Sequence, residues 1–233
     1  MVYHVKSSEL EGTRVRIDEL QSITKGRVAV SRRLSKRLFD IACALILLAF
    51  FAPFMVLIAA LIWFKDREQI IFAHTRVGKN GKPFKCLKFR TMCLDADARL
   101  AQVLASDPAA RAEWEQNQKL LNDPRLTAVG EILRKTSLDE LPQLWNVLRG
   151  DMSMVGPRPI VAAEAKHYRS AFADYKSVRP GLTGVWQISG RSDTTYQERV
   201  DLDVAYVKSH SFRGDLGIVL KTVSVVLGGQ GAR

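Results

Sequence analysis

Residues Ile41 to Phe64 read IACALILLAFFAPFMVLIAALIWF, an apolar run with no charge and with Pro53 near its middle. Basic residues crowd both ends: Arg32, Arg33, Lys36 and Arg37 before it, Lys65 and Arg67 after it. At ~1.5 Å rise per residue a helix over this run reaches ~36 Å, enough for a ~30 Å hydrocarbon core. One reading is therefore a single transmembrane helix. Two features point the other way. Spanning segments carry their Lys/Arg excess on the cytoplasmic side only. Here Lys25, Arg27, Arg32, Arg33, Lys36 and Arg37 precede the run, and Lys65, Arg67, Arg76, Lys79 and Lys82 follow it. Pro53 also deletes a helical hydrogen bond and crowds the preceding turn, which bends a helix. A bent helix can dip in and return to the same face. Proline is tolerated in spanning helices too, so the residues alone leave spanning and re-entry open.

The chain has 233 residues, room for one domain plus a membrane element. Its formal net charge is +11, which calls for an anionic partner. Nucleic acid is the ordinary candidate, but no zinc-finger spacing, RRM signature or basic zipper is present. A greasy run followed by basic segments suits a phospholipid surface better. Cys43, Cys86 and Cys93 form no CxxC pair and read as reduced thiols facing the cytosol. His4, His74, His167 and His210 are too scattered for a zinc site. The apolar run begins far from Met1, is too long for a signal h-region and lacks a small-x-small exit, so it is expected to be retained.

Residues 1–30 carry mixed charge and little periodicity, and are expected to be a mobile basic tail near lipid headgroups. Residues 70–93 hold two β-like runs around Gly78-Lys79-Asn80-Gly81, and Asn-Gly is a strong hairpin signal. In the second run, Phe84, Cys86 or Leu87, and Phe89 alternate with Lys85, Lys88 and Arg90, which predicts one cationic strand face. That face is either solvated or phosphate-binding. Residues 95–121 have a helical apolar stripe and no visible chemistry.

The sharpest local constellation runs from Arg134 to Asn146. Ser137 followed by Glu140 fits a capping box at a helix start. That helix would turn Leu138, Leu141, Leu144, Trp145 and Leu148 to its apolar side, with Asp139, Gln143 and Asn146 on another face. The functional reading of the same residues differs. A carboxylate at a helix N-terminus, near Arg134 and Lys135, is held ionised. It becomes a metal ligand or a nucleophile toward a phosphoryl group. Further on, Pro157 and Pro159 bracket Arg158 in what reads as a rigid loop over 150–159, aiming a guanidinium suited to bidentate phosphate recognition. Residues 160–176 and 194–208 read as helices. Residues 179–191 read as loop with a short strand, and 215–227 as an apolar helix, either core or membrane-interfacial.

Several segments occur together in order: Lys36-Arg37-Leu38-Phe39-Asp40, Lys88-Phe89-Arg90-Thr91-Met92, Ser137-Leu138-Asp139-Glu140-Leu141-Pro142-Gln143-Leu144, Gly150-Asp151-Met152-Ser153, Gly156-Pro157-Arg158-Pro159 and Arg179-Pro180-Gly181-Leu182-Thr183-Gly184. From about residue 33 to the C-terminus the chain resembles the bacterial sugar transferases, the monotopic phosphoglycosyl transferases that act as polyprenyl-phosphate hexose-1-phosphate transferases. The resemblance implies transfer of a sugar 1-phosphate from a UDP-sugar to undecaprenyl phosphate, with release of UMP. It implies a re-entrant membrane helix, an Asp-Glu dyad and Mg²⁺. Asp139 would be the nucleophile at the β-phosphate. Glu140 would deprotonate the acceptor or order the metal. Lys88, Arg90 and Arg134 would neutralise phosphate charge, and Arg158 between Pro157 and Pro159 would hold the nucleotide end. Many relatives carry serine before the mid-run proline, where this chain has Ala52-Pro53. The bend then rests on Pro53 and on charges at the membrane interface, with Lys36 and Arg37 among them.

The expectation is a mainly helical α+β fold: a monotopic membrane protein with one re-entrant helix broken at Pro53 and a small β-hairpin. It divides into a tail over 1–30, a membrane helix over 31–66 and a catalytic domain over 67–233 on the cytoplasmic face of the bacterial inner membrane. Larger relatives carry an extra N-terminal membrane domain, and this chain is expected to be a minimal catalytic form. The resemblance is closest to galactose phosphotransferases that initiate exopolysaccharide synthesis, with glucose 1-phosphate as the second choice. The expected partners are a UDP-hexose, undecaprenyl phosphate and membrane lipids, and no nucleic acid. Segments 95–121 and 215–227 are candidate homodimer surfaces. The rival from another class is a non-catalytic membrane adaptor.

Overall fold

The computed structural model describes residues 7–117, 120–189 and 195–227, with backbone alone over 7–33, 116–117 and 226–227. Residues 1–6 of the expected tail, 118–119 of the 95–121 segment, 190–191 of the 179–191 loop and 194 of the 194–208 helix lie outside the described residues. Two units are distinguished, residues 1–40 and residues 41–233.

Helix α1 (Ser7–Asp66) includes Pro53, and no residue around it leaves the helical assignment. What proline removes there is one backbone hydrogen bond rather than the helix. The stretch Leu34–Asp66 is long and apolar enough to cross a membrane. Ile46, Phe50, Phe54, Val56, Leu57, Leu61 and Phe64 are exposed along it. A continuous apolar face of this kind belongs in lipid or against a partner. Within residues 1–40, Lys36 Nζ pairs with Asp40 Oδ1 at 2.7 Å and lies over the Phe39 ring.

In the second unit the expected hairpin is present. Strands β1 (Ile71–Val77) and β2 (Pro83–Phe89) pair antiparallel, with His74 opposite Cys86 and Phe72 opposite Lys88. The turn places Asn80 and Gly81 at φ 58° and 75°, the left-handed backbone that an Asn-Gly pair adopts at least cost. The register corrects one expectation. Lys85 lies opposite Thr75 and donates to its hydroxyl at 2.9 Å, on the other face from Lys88. The cationic face is built from Lys88 and Arg90, with Arg76 across from Phe84.

Helices α2 (Ala96–Ser106) and α3 (Pro108–Asn117) form an exposed pair. Helix α4 (Ala128–Thr136) starts at Thr127, whose hydroxyl accepts from Gly130 N at 2.9 Å. A β-carbon on Gly130 would lie 1.9 Å from the Thr91 carbonyl, so only glycine lets α4 pack on this strand end. Helix α5 (Gln143–Arg149) follows, then strand β3 (Ser153–Val155) inside what reads as a loop. Short helices α6 (Ala165–Tyr168) and α7 (Phe172–Ser177) lead to β4 (Gly181–Thr183), parallel to β3. Helices α8 (Val185–Ile188), α9 (Tyr196–Ser209) and α10 (Phe212–Leu227) complete the chain. The mainly helical α+β architecture with small two-stranded sheets is the expected one.

Two apolar clusters hold the second unit. In one, Ile58 and Ile62 of α1 pack with Phe89 and Leu133, and Met55, Ile70, Leu138 and Leu141 close around them. In the other, Ile160, Tyr168, Tyr175 and Val200 pack with Val77, Phe172 and Tyr196. The first cluster ties the apolar helix to the residues on either side of Asp139 and Glu140.

Candidate active site

Ser137 ends α4 in a left-handed conformation, φ 57°, with its N–H donating to the Arg134 carbonyl at 3.2 Å. No side-chain cap forms there, so the capping box expected from Ser137 and Glu140 is not made. The chain instead makes a tight turn over Leu138–Glu140, and α5 starts only at Gln143, after Pro142. The turn throws its two apolar residues one way and its two carboxylates the other. Leu138 and Leu141 pack on Ile58 and Ile62, while Asp139 and Glu140 converge on the Lys88 ammonium. Lys88 Nζ lies 2.7 Å from Glu140 Oε1 and 3.4 Å from Asp139 Oδ2.

Asp139 is buried. Burial pushes its carboxyl above the ordinary carboxylate range, and the Glu140 charge adds to that push, while Lys88 and Arg134 oppose it. A buried carboxylate with flanking cations is a competent nucleophile toward phosphorus. Arg134 is itself fixed by a 3.1 Å hydrogen bond from Nε to Thr91 Oγ1.

Four of the five residues in the Lys88–Met92 segment have defined side-chain contacts. Lys88 holds the dyad, Phe89 enters the core beneath α1, Arg90 pairs with Asp66 at the end of α1, and Thr91 holds Arg134. Arg90 Nε and Nη1 are buried without a hydrogen-bond partner among the described residues. Arg158 lies elsewhere, over the Trp186 ring at 5.1 Å. Gly156-Pro157 is pinned against Pro180-Gly181 by Gly156 N to Thr183 O (2.9 Å) and Gly181 N to Pro157 O (2.8 Å). That pairing, with Pro157 fully buried, fixes the backbone on which Arg158 and Pro159 sit. The structure thus groups Lys88, Asp139, Glu140 and Arg134, sets Arg90 beside them, and places Arg158 in a separate cluster. Lys36, Arg37 and Pro53 belong to α1.

The apolar side expected of α5 is made in part: Leu144 is buried as expected, but Trp145 is not. Trp145 is 54% exposed, whereas Gln143 and Asn146 are buried. Asn146 acts as a surrogate strand along the free edge of β2. Its Oδ1 accepts from Leu87 N at 3.0 Å, and its Nδ2 donates to Lys85 O at 2.8 Å and Asp151 Oδ2 at 3.1 Å. Those backbone groups, left unpaired, would each cost about 1–3 kcal/mol. Asn146 therefore holds the strand that carries Lys88. The sequence signal was an asparagine set between Leu144-Trp145 and Val147-Leu148.

Asp139 and Glu140 supply adjacent hard oxygen donors at a point that already attracts a cation, Lys88. This donor set fits Mg²⁺, which binds through one or two carboxylates and takes its other ligands from water and phosphate. Among the described residues no group of three or more His, Cys, Asp or Glu side chains stands ready to hold a metal. The site would be completed by substrate oxygens.

Comparison with known proteins adds the following. The sequence pattern of the family described as bacterial sugar transferase matches residues 31–229. An undecaprenyl-phosphate galactose phosphotransferase of Salmonella typhimurium is 50% identical over 87% of this chain and 42% of its own length. A UDP-galactose-lipid carrier transferase of Erwinia amylovora is 48% identical, again over 87% of this chain and 42% of its own. The exopolysaccharide production protein ExoY of Sinorhizobium fredii is 49% identical over 85% of this chain and 88% of its own. The chain therefore spans less than half of the first two relatives and most of the third.

Proposed function

The chain belongs to the bacterial sugar transferase family, and on that premise we propose that it transfers galactose 1-phosphate from UDP-galactose to undecaprenyl phosphate. The observation that carries the reading is the Lys88 ammonium drawn against two adjacent carboxylates, one of them buried. Neither an adaptor nor a nucleic-acid module needs a buried carboxylate held on a lysine. The galactose preference rests on the names of two relatives, at 50% and 48% identity.

Asp139 attacks the β-phosphorus of the UDP-sugar. The bond from that phosphorus to the bridging oxygen breaks, and UMP leaves with the electron pair. An acyl phosphate, the mixed anhydride between the Asp139 carboxylate and the sugar phosphate, remains. An oxygen of undecaprenyl phosphate then attacks the same phosphorus and expels the Asp139 carboxylate, and Glu140 takes the acceptor's proton when the lipid phosphate arrives protonated. Lys88 and Arg134 oppose the repulsion between a carboxylate nucleophile and an anionic diphosphate. When bound, Mg²⁺ would add charge neutralisation at the transferring phosphoryl group. The two half-reactions share one covalent intermediate, formed with loss of UMP before the lipid reacts, so the kinetics are ping-pong.

Membranes containing this chain, given undecaprenyl phosphate and one radiolabelled UDP-sugar at a time, are expected to form a lipid-linked phosphosugar fastest with UDP-galactose. Faster product from UDP-glucose would reassign the sugar, and no lipid product from any donor would favour the adaptor.

The membrane placement is part of the same proposal. The run re-enters on one leaflet, at the cytoplasmic face of the inner membrane, with the core beneath the dyad anchored to Ile58 and Ile62. Cysteines placed at Val30 and Ile70 in a cysteine-free background should both react with an impermeant reagent from the cytoplasmic side. Reaction from opposite sides would mean that α1 spans the bilayer.

A further inference from the structure

A hexose in the donor is joined to the transferring phosphorus through one ester oxygen, so its ring lies beside whatever holds that phosphoryl group. In-line displacement puts the Asp139 carboxylate and the departing UMP on opposite sides of the phosphorus. The sugar then leaves the phosphorus sideways, together with the oxygens that Lys88 neutralises. The side chains next to Lys88 on its face of the hairpin are therefore the ones a hexose meets. Directly opposite β-carbons on a sheet face are ~5 Å apart, and diagonal ones ~7–8 Å. Phe72 stands directly opposite Lys88, and His74, opposite Cys86, is diagonal to it.

The other neighbours of Lys88 on this face are engaged elsewhere. Cys86 is buried, Arg90 pairs with Asp66, and Ile70 packs on the cluster of Ile58 and Ile62. Phe72 is 53% exposed, and His74 is exposed beside it, the two rings 5.9 Å apart. A single exposed phenyl ring needs no explanation. The placement of this one does, across from the lysine that holds the dyad and next to an imidazole. Desolvation pushes His74 below the ordinary histidine pKa, and the charges of Arg76, Lys85 and Lys88 add to that push, with Glu164 opposing. At neutral pH the ring is uncharged, with one nitrogen to donate and one to accept. A sugar hydroxyl, which both gives and takes a hydrogen bond, suits either nitrogen.

We infer that Phe72 and His74 form the hexose subsite of the donor, Phe72 as a shelf against the sugar ring and His74 as a partner for its hydroxyls, and that the pair sets the preference among hexoses. The inference rests on the phosphosugar transfer proposed above. The axial 4-hydroxyl of galactose leaves the C–H bonds of carbons 3, 4 and 5 together on one face of the ring. That apolar patch meets the electron-rich face of a phenyl ring. In glucose the 4-hydroxyl is equatorial, the C–H bond of carbon 4 turns to the other face, and the patch is broken. The shelf therefore favours galactose by shape.

The test uses the detergent-solubilised full chain, with UDP-galactose and UDP-glucose as donors and UMP as a probe that carries no hexose. Phe72→Ala should lower kcat/KM for UDP-galactose about tenfold, and for UDP-glucose less. Phe72→Tyr keeps the ring face and should recover most of that loss. His74→Ala should lower the galactose-to-glucose ratio of kcat/KM about three- to tenfold, the scale of one hydrogen bond. In both alanine variants the Kd for UMP and the KM for undecaprenyl phosphate should stay within about twofold of wild type. Unchanged donor kinetics in both overturn the subsite while the transferase reading stands. An equal loss of UMP affinity also overturns it, by giving the pair to the nucleotide. A change confined to the lipid KM does the same, by giving the pair to the acceptor or the bilayer. A wild-type chain that uses no UDP-sugar removes both readings together.

Discussion

Asp139→Asn is expected to lower turnover at least about a thousandfold, the scale of losing a nucleophile that acts with its partners as a unit. The substitution keeps the shape of a side chain that is buried in the turn Leu138–Glu140. It also removes the repulsion from Glu140, one of the charges that push the Asp139 carboxyl up. The unfolding midpoint should therefore stay near that of the parent, and the loss is chemical. The decisive measurement is trapping. With a UDP-sugar labelled at the β-phosphate and no lipid acceptor, the parent chain should retain label after acid quenching, and Asp139→Asn should retain none. Normal turnover or retained label in this variant would sink the covalent route.

Lys88→Met carries the second-largest expected effect, a fall in kcat/KM of about a hundredfold or more, the cost of deleting one preorganised charge at a phosphoryl site. It makes a distinctive pH prediction as well. Attack requires the ionised form of Asp139. Burial raises the pKa of that group and Glu140 raises it further, while Lys88 and then Arg134 hold it down. Removing Lys88 takes away the largest opposing influence, so Asp139 ionises only at higher pH. The acid limb of the pH profile should move upward. Lys88→Arg keeps a cation against both carboxylates and should leave the limb near its place while costing some rate. An unmoved limb in Lys88→Met would mean that Lys88 supports the site by packing alone.

Much of this architecture was legible in the chain. The charge-free run with its basic flanks announced a membrane helix, because few other folds tolerate so long an apolar stretch. Asn80-Gly81 announced the hairpin, because two consecutive left-handed residues cost little only in such a pair. The ordered motifs singled out Asp139, Glu140 and the arginine between prolines as candidates. Errors clustered where local propensity met a tertiary demand. Ser137 and Glu140 spell a capping box, yet the left-handed turn at Ser137 releases Glu140 to Lys88. Leu138, Leu141, Leu144, Trp145 and Leu148 spell an apolar face, yet Trp145 turns outward and Asn146 inward. The free edge of β2 needs hydrogen-bond partners more than the core needs another ring.

By itself the sequence determined the residue types for phosphoryl chemistry, the apolar helix that places them near a membrane, and the hairpin that carries Lys88. Only the tertiary structure decided which cation serves which anion. Lys88, Arg90, Arg134 and Arg158 look equivalent in the chain. In the fold they divide, because strand register, the glycine contact between α4 and Thr91, and the pinning of Pro157 against Gly181 send each to a different partner. Phe72 and His74 were invisible for the same reason. They are remote from Lys88 along the chain, and only the register of β1 against β2 sets them beside it.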